Sequence, residues 1–436
     1  MKQTLFAIPD SIAGLPLFGI GLLLAAWLLF CIGLLVWLLK RYGLGAETRG
    51  YLPLMILVGL GIVMVLPKLV VAEEGGVPVR GYGVMMMLGI VAGVGLAAYR
   101  APAVGLDPDK VFSLTFWMFL GGIVGARLFH IIQYRENYNS LGDLLEIQQG
   151  GLVVYGALIA ALIIVPVFVI RNKIPGLAMA DLLAPSMVLG LAFGRIGCLL
   201  TGCCFAGSCD LPWAVTFPQL SAPASISPPY QRQLEAGLAY GIQIGRDEQG
   251  SLILSQIAPG SLAEELGFQA GQQIRVLGEF EKPTAEEAQL AILRAMYPPE
   301  DLQAPPRTLR LAVVESPDVR ELSHAPPLRS LPVHPVQVYS AVNAALLCVL
   351  LLAYHPLRRR DGEVFALLIT IYPIARFLLE MIRTDEFAKF GTALTISQLV
   401  SLATLAGAAV LWWYILRQPT GQRWVDRAAA AAPLGA

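Results

Sequence analysis

Charged side chains are scarce in this sequence, because only 14% of its 436 residues are Asp, Glu, Lys or Arg, against roughly 25% in ordinary soluble domains. Neither sign of charge is in excess, since 31 basic residues balance 31 acidic ones. A chain with no net positive field has no general electrostatic attraction for nucleic acid. The composition therefore excludes nucleic-acid binding as the main function.

The sequence also lacks the motifs of an intramembrane protease. It has no H-E-x-x-H pattern, which holds the zinc ion of many metalloproteases, and no serine within a rhomboid-like G-x-S-G. Histidine is rare, with four in the whole chain. A proteolytic function is therefore disfavoured.

Hydrophobic residues make up 56% of the chain and are concentrated in long runs. A helix needs about 20 apolar residues to cross the hydrocarbon core of a bilayer. The first run is too long for a signal-peptide core and lacks a small-residue cleavage site, so we expect it to be retained. The sequence predicts an all-α polytopic membrane protein with about nine transmembrane helices. They are predicted at 16–39, 51–71, 84–100, 111–133, 152–170, 182–201, 336–354, 363–382 and 394–416.

Basic residues in the short loops predict how these helices are oriented, because Lys and Arg are enriched in cytoplasmic loops. An N-terminus outside the cell places more of them in the inside loops than in the short outside loops. The inside set is Lys40, Arg41, Arg49, Arg100, Lys110, Arg171, Lys173, Arg358, Arg359 and Arg360, and the outside set is Arg80, Arg135, Arg383 and Lys389. We therefore expect the N-terminus outside, the C-terminus inside and the long stretch 203–335 outside.

The insert at 221–330 differs in composition from the rest of the chain. Its ends are rich in proline, as linkers often are, and residues 250–278 alternate apolar and polar positions around a short helix predicted at 261–266. A second helix is predicted at 284–295, followed by a closing strand T-L-R-L-A-V-V. In this order of elements, the segment at about 236–316 resembles an α+β PDZ domain.

A PDZ domain binds an extended peptide by adding it as a strand to one sheet edge. The resemblance implies that Tyr240, Gly241 and Ile242 belong to such a groove, and that a peptide is one partner of this protein. The alternative is that the insert only spaces or stabilises the chain.

Charged residues inside predicted membrane spans are costly to bury and usually have a function. Arg127, Arg195 and Arg376 each lie in the outer half of a predicted helix, about 10 Å below the outer surface at 1.5 Å per residue. Tyr82 and Tyr155 lie near the same face. Guanidinium groups suit bidentate phosphate binding, and the abundant phosphate at this depth belongs to phospholipid headgroups. Alternatively, the arginines pair with carboxylates or helix carbonyls to hold the bundle together.

The segment R-F-L-L-E-M-I-R places Arg376, Glu380 and Arg383 on one helical stripe, because residues three or four apart are neighbours on a helix. A carboxylate in this position holds the orientation of an arginine. The stripe therefore predicts a lipid-headgroup site.

Several motifs, taken in order, resemble the prolipoprotein diacylglyceryl transferase family over roughly 78–218 and 330–418. The order and spacing of the whole set are specific, although each string alone is weak. The strings are R-G-Y-G-V-M-M-M-L-G at 80–89, G-A-R-L-F at 125–129, Q-G-G-L-V-V-Y-G at 149–156, G-L-A-F-G-R-I-G at 190–197, P-W-A-V-T-F-P at 212–218, H-P-V-Q-V-Y at 334–339 and Y-P-I-A-R-F-L-L-E-M-I-R at 372–383.

The resemblance implies a seven-helix core in the bacterial inner membrane that moves a diacylglyceryl group from phosphatidylglycerol to the lipobox cysteine of a prolipoprotein. Glycerol 1-phosphate is released, and no cofactor or metal is required. The implied catalytic residues are Arg195, Arg376 and Tyr155, and the implied substrate-binding residues are Tyr82, Arg127, Glu380 and Arg383. His334 begins the H-P-V-Q-V-Y string at a predicted helix start, where either substrate binding or helix-end structure would explain it.

Three departures from the family pattern affect this assignment. Tyr155 stands where the family usually has histidine, and a tyrosine with an ordinary pKa of about 10 is a poor base at neutral pH. The string G-C-L-L-T-G-C at 197–203 replaces the family's G-N-x-x-N-G-E, and Ser340 replaces a glutamate. These changes leave the general base open. They also motivate an alternative, in which the chain is a catalytically silent relative that binds lipid or escorts lipoproteins.

Four cysteines cluster within twelve residues, at Cys198, Cys203, Cys204 and Cys209. On an oxidising outer face such cysteines form disulfides, and we expect one or two that brace the junction between helix and loop. A metal site is the second alternative, although the spacing is not the paired C-x2-C of zinc sites. A thiol that accepts the lipid covalently is a third.

The predicted order of domains begins with two additional N-terminal helices at 1–77, which precede the first part of the membrane core at 78–220. The insert at 221–330 follows, then the second part of the core at 331–418 and a cytoplasmic tail at 419–436. Because the added helices are even in number, they leave the orientation of the core unchanged.

Overall fold

The computed structural model of the chain is mostly helical and divides into two compact units. One unit comprises residues 1–84 and 197–335, and the other comprises 85–196 and 336–436. The structure describes residues 3–43, 46–71, 75–135, 153–218, 220–222, 225–235, 241–246, 251–257, 262–277, 309–314, 319–322, 329–383 and 394–420.

Nine of the described α-helices follow the long apolar runs of the sequence, and two short ones lie within 221–330. They are α1 (Leu22–Tyr42), α2 (Ala46–Leu60), α3 (Gly81–Arg100), α4 (Pro108–Gln133), α5 (Val154–Arg171), α6 (Gly176–Thr201), α7 (Pro228–Glu235), α8 (Leu262–Glu265), α9 (Val336–Tyr354), α10 (Glu363–Glu380) and α11 (Ile396–Leu416).

Seven helical segments within the described ranges are long and apolar enough to cross a membrane, which confirms a polytopic membrane protein. The seven include neither α5 nor α10. The apolar segment of α5 is shorter, and α10 carries Glu363, Arg376 and Glu380. The predicted count of nine spans therefore stays a prediction.

Helices α4 and α5 pack with their backbones in direct contact. A Cβ atom placed on Gly125 would overlap the carbonyl oxygen of Gly156, and one placed on Gly156 would overlap the carbonyl oxygen of Gly125. Small residues allow this close approach, which drives helix association where lipid removes the usual hydrophobic gain. The contact holds the two helices that carry Arg127 and Tyr155.

The N-terminus of α10 is capped by a carboxylate from another helix. Asp181 of α6 is fully buried, and its two oxygens accept hydrogen bonds from the backbone N–H groups of Gly362 at 2.7 Å and Phe365 at 2.9 Å. Arg358 Nε lies 3.5 Å from the same carboxylate. Gly362 has a φ of +99°, a left-handed conformation that favours glycine. The buried carboxylate of Asp181 therefore holds the start of α10.

The strands lie in the unit formed by 1–84 and 197–335. They are β1 (Thr4–Pro9), β2 (Ser11–Ile12), β3 (Leu15–Pro16), β4 (Gly76–Arg80), β5 (Leu220–Ala222), β6 (Ser225–Ile226), β7 (Ile242–Arg246), β8 (Leu252–Ile257), β9 (Ile274–Leu277), β10 (Leu309–Val313) and β11 (Val319–Leu322). The antiparallel pairs include β1 with β4 and β7 with β8, and β10 lies between β9 and β11.

The insert contains several of the elements predicted for it. The short helix predicted at 261–266 is α8, and the closing strand is β10. Ile242, Leu254 and Ala263 have no exposed surface, so strands and helix share a small apolar core. The helix predicted at 284–295 lies outside the described residues. The PDZ resemblance of the insert therefore stays a prediction.

Candidate active site

The predicted stripe on α10 forms a compact ionic cluster at the end of that helix. Arg376 Nη2 lies 3.0 Å from Glu380 Oε2, and Arg383 Nη1 donates to the same oxygen at 3.2 Å. The Glu380 side chain is fully buried, and those of Arg376 and Arg383 are 15% and 4% exposed. Two guanidinium groups share one carboxylate, so the three residues carry a net positive charge.

The start of α11 holds this cluster in place. The Thr395 hydroxyl donates to Glu380 Oε1 at 3.4 Å, and Ser397 Oγ accepts from Arg376 Nη2 at 2.9 Å. Thr395 also caps α11 by accepting from the backbone N–H of Gln398, whose side chain accepts from the backbone N–H of Thr395 in return. Such reciprocal capping satisfies two otherwise open donors. The helix start is thereby fixed against the carboxylate that orients both arginines.

Two arginines have nitrogen atoms without hydrogen-bond partners among the described residues. Arg376 Nη1 is buried and has no hydrogen-bond partner among the described residues. Arg195 on α6 is half-buried, and its charge acts on that of Arg376. Within the described ranges, Arg195 forms no hydrogen bond or ion pair. Buried donors normally have partners, so this arrangement suits an anion that bridges the arginines.

Arg127 and Tyr155 lie on the packed pair α4 and α5. Arg127 is 8% exposed, and next to it the backbone N–H of Val153 donates to the carbonyl oxygen of Ala126 at 3.2 Å. Tyr155 is 53% exposed, with its ring 6.5 Å from that of Phe129.

An open cavity of about 530 Å³ lies at the ends of these two helices. Its lining is mostly apolar and aromatic, and Tyr155 contributes to it. The lining residues are Phe129, Ile132, Gln133, Tyr134, Val153 and Tyr155. The phenol therefore borders a space that an extended apolar segment could occupy.

Tyr82 and His334 belong to the unit formed by 1–84 and 197–335. Tyr82 lies in the first turn of α3 and is 39% exposed. His334 precedes α9 and donates its backbone N–H to the carbonyl oxygen of Gly207 at 3.1 Å. Tyr82 therefore lies at the start of one helix and His334 just before another. Their predicted contact with substrate stays a prediction.

The cysteines are all present as thiols. The Sγ atoms of Cys198, Cys203 and Cys204 lie within 4.8 Å of one another. Hydrogen bonds with Cys198 and Cys204, and then burial, raise the pKa of the Cys203 thiol. Cys209 is buried and is not part of this group. The predicted disulfide pairing stays a prediction.

The predicted peptide groove is partly described. Gly241 has a φ of +73°, and Ile242 begins β7, pairs with Ile257 of β8 and is fully buried. Tyr240 lies outside the described residues.

Sequence reasoning missed three residues that support the arginine cluster. Thr395 and Ser397 were not singled out, although T-x-x-Q before an apolar run is the signature of a reciprocal helix cap and was readable at Thr395. Asp181 was also missed. Its hydrogen-bond partner Gly362 lies 181 residues away in the sequence, so no local pattern could identify the contact.

These features define a class of protein: a polytopic membrane protein with a buried, net positive arginine cluster that suits a phosphate group. A family model described as prolipoprotein diacylglyceryl transferase matches residues 69–414. The chain belongs to that family, which confirms the resemblance of its motifs.

Curated relatives agree with this assignment. A phosphatidylglycerol–prolipoprotein diacylglyceryl transferase of Rhodopirellula baltica is 33% identical over 94% of this chain and 88% of its own length. Enzymes of the same name from Clostridium tetani and Trichormus variabilis are 37% and 31% identical, over 34% and 35% of this chain and 60% and 54% of their own lengths.

Proposed function

We propose that Arg195, Arg376 and Arg383 bind the phosphate of phosphatidylglycerol during diacylglyceryl transfer. The transfer itself follows from the family: the chain is an enzyme that moves the diacylglyceryl group of phosphatidylglycerol to prolipoproteins. One observation carries the proposal. Arg376 and Arg383 share a buried carboxylate, the charge of Arg195 acts on that of Arg376, and both Arg195 and Arg376 Nη1 lack hydrogen-bond partners among the described residues.

The main requirement of this reaction is that negative charge on the departing phosphate be stabilised. The lipobox cysteine loses its proton, its sulfur bonds to the glycerol carbon that bears the phosphate ester, and the carbon–oxygen bond to phosphate breaks. Glycerol 1-phosphate then leaves, and a thioether remains. Negative charge grows on the departing phosphate, and preorganised guanidinium groups stabilise such charge in a site that excludes water.

Glu380 has a positioning role in this proposal. Its carboxylate receives hydrogen bonds from Arg383 and Thr395 and pairs with Arg376. Arg376 Nη1 is left buried without a hydrogen-bond partner among the described residues, while Nη2 is held by the carboxylate. The guanidinium group of Arg376 is therefore oriented before the lipid binds. This lowers the entropy cost of ordering that group during the reaction.

We also propose roles for Tyr155, Arg127, Tyr82 and His334. Tyr155 borders the apolar cavity at the ends of α4 and α5, where its hydroxyl would exchange a hydrogen bond with the incoming thiol or with the water that receives its proton. We assign substrate contacts to Arg127, Tyr82 and His334 from their place in the family motifs.

We further propose the finer organisation of the chain. Nine helices cross the bacterial inner membrane, with the N-terminus outside, the C-terminus inside and the insert on the outer face. The two N-terminal helices at 1–77 and the tail at 419–436 are additions to a core formed by 78–220 and 331–418. The insert at 221–330 contains a PDZ-like domain that binds an extended peptide, and the strand pair β7–β8 with α8 supports this.

The test is complementation of a bacterium depleted of its own transferase, with modified lipoprotein measured by mass spectrometry. We expect wild type to restore modification, and Arg195→Ala and Arg376→Ala to abolish it. Arg171→Ala is the matched control, because Arg171 is an exposed arginine at the end of α5. A Tyr155→Phe variant tests the hydroxyl separately.

Two outcomes would contradict the proposal. Full modification by Arg195→Ala and Arg376→Ala would show that the arginine cluster is not the phosphate site. No modification by a well-expressed, correctly inserted wild type would instead favour the silent relative that binds lipid or escorts lipoproteins.

A further inference from the structure

The turn that follows α6 brings three thiols together. The carbonyl oxygen of Cys198 accepts hydrogen bonds from the backbone N–H groups of Gly202 at 2.9 Å and Cys203 at 3.2 Å. The chain therefore folds back over the last turn of the helix and carries Cys203 towards Cys198. The Sγ atoms of Cys198, Cys203 and Cys204 lie within 4.8 Å of one another.

Two residues adopt left-handed backbone conformations to make this turn. Gly202 has a φ of +82° and Cys204 a φ of +57°. Glycine accepts such a conformation without steric cost, whereas a residue with a Cβ adopts it only when its surroundings enforce it. The strained residue is one of the three whose sulfurs converge, and Phe217 packs against Gly202.

We propose that Cys198, Cys203 and Cys204 bind one thiophilic cation, Zn²⁺ or Cu⁺. Thiolate ligands select these soft ions, and a zinc–sulfur bond of about 2.3 Å requires sulfurs roughly 3.8 Å apart in a tetrahedral site. The observed separation of up to 4.8 Å between the sulfurs is about 1 Å longer than this. All three residues are half-buried, so an ion can enter while most of its water is excluded.

The ion would fasten the end of α6 to the chain that follows it. Each thiol gives up its proton when it binds the metal, so binding releases protons and strengthens as pH rises. Cys209 is excluded from the ligand set, because it is buried apart from the converging sulfurs and donates its backbone N–H to Pro332. The role of the site is structural.

Metal content of the detergent-purified full-length protein tests this proposal. The protein is reduced, loaded with Zn²⁺ or with Cu⁺, freed of unbound ion and analysed by inductively coupled plasma mass spectrometry. We expect about one ion per chain in wild type and in the control Cys31→Ser, whose thiol lies on α1. Cys203→Ser and Cys204→Ser should each retain less than about a tenth of that amount.

A second measurement needs no substitution. Alkylation of wild type, followed by intact-mass analysis, should modify three fewer thiols with the metal present than after chelation. Wild type that retains neither ion after loading would overturn the proposal. So would intact mass showing that two of the three thiols are joined in a disulfide in protein purified without reductant, because the group would then be a redox pair.

Discussion

Glu380 at the end of α10 is a buried carboxylate that pairs with two arginines and accepts a hydrogen bond from Thr395. Removing its charge would leave Arg376 and Arg383 repelling each other in a site from which water is largely excluded. A buried charge without its partner typically costs about 3–5 kcal/mol, so the identity of this residue matters for folding as well as for catalysis. The sequence indicated the stripe through helical spacing, whereas the buried state of the carboxylate became visible only in the folded chain.

At Arg376, geometry matters as much as charge. We expect Arg376→Lys to lower the transfer rate about 100-fold, because an ammonium keeps the charge but cannot bond to Glu380 and Ser397 while presenting a second nitrogen to phosphate. The measurement is the rate of diacylglyceryl transfer to a lipobox peptide in detergent. Arg171→Lys is the control and should retain the wild-type rate. A rate within twofold of wild type for Arg376→Lys would show that only charge is required.

Helix α10 is held at its two ends by residues of different helices. Asp181 of α6 caps its N-terminus, and Thr395 at the start of α11 contacts Glu380 at its other end. The cluster on α10 is therefore placed by contacts at both ends of the helix. Sequence analysis located this helix from its apolar run, but the partners of its ends lie in other helices.

The cap on α10 should matter for stability. We expect Asp181→Asn to lower the free energy of unfolding by about 3 kcal/mol, because the amide cannot accept from both backbone N–H groups and leaves Arg358 without its buried counter-charge. Thermal unfolding in detergent measures this change. Asp109→Asn, at an exposed position in the first turn of α4, is the control and should change stability by less than about 0.5 kcal/mol. Equal melting curves for the two variants would rule out the cap.

The glycine contact between α4 and α5 permits a matched comparison. We expect Gly156→Ala to destabilise the protein by about 2 kcal/mol, because the new methyl group overlaps the backbone of Gly125 and separates the helices. Gly122→Ala is the control, since its Cβ would make only an ordinary contact with Ala157. Thermal unfolding of the two variants in the same detergent measures the difference. If Gly156→Ala were as stable as Gly122→Ala, the close approach of the two helices would be wrong.

At the scale of the whole molecule, we propose a membrane core interrupted by the insert at 221–330. Five of the seven apolar helical segments in the described ranges lie within 78–220 and 331–418, and they support the core together with the family match over 69–414. The distribution of Lys and Arg among the loops supports its proposed orientation. The insert and the cysteine cluster both lie on the side that this orientation places outside.

Reporter fusions test the orientation directly. We expect alkaline phosphatase to be active when fused after residue 330, at the end of the insert, and inactive when fused after residue 418, because the enzyme folds only outside the cytoplasm, where its disulfides form. A fluorescent protein that folds in the cytoplasm should give the opposite pattern at the same two positions. The reverse result for both reporters would invert the proposed topology.

The sequence by itself determined the membrane class, the approximate helix bounds, the stripe of Arg376, Glu380 and Arg383, and the family. These features depend on local composition, on helical periodicity and on ordered motifs, all of which are readable along the chain. Only the tertiary structure decided that Asp181 caps α10, that Thr395 supports Glu380 and that three thiols converge after α6. The physical reason is that such contacts join separate helices or depend on the backbone path of a turn, and hydrophobic periodicity encodes neither.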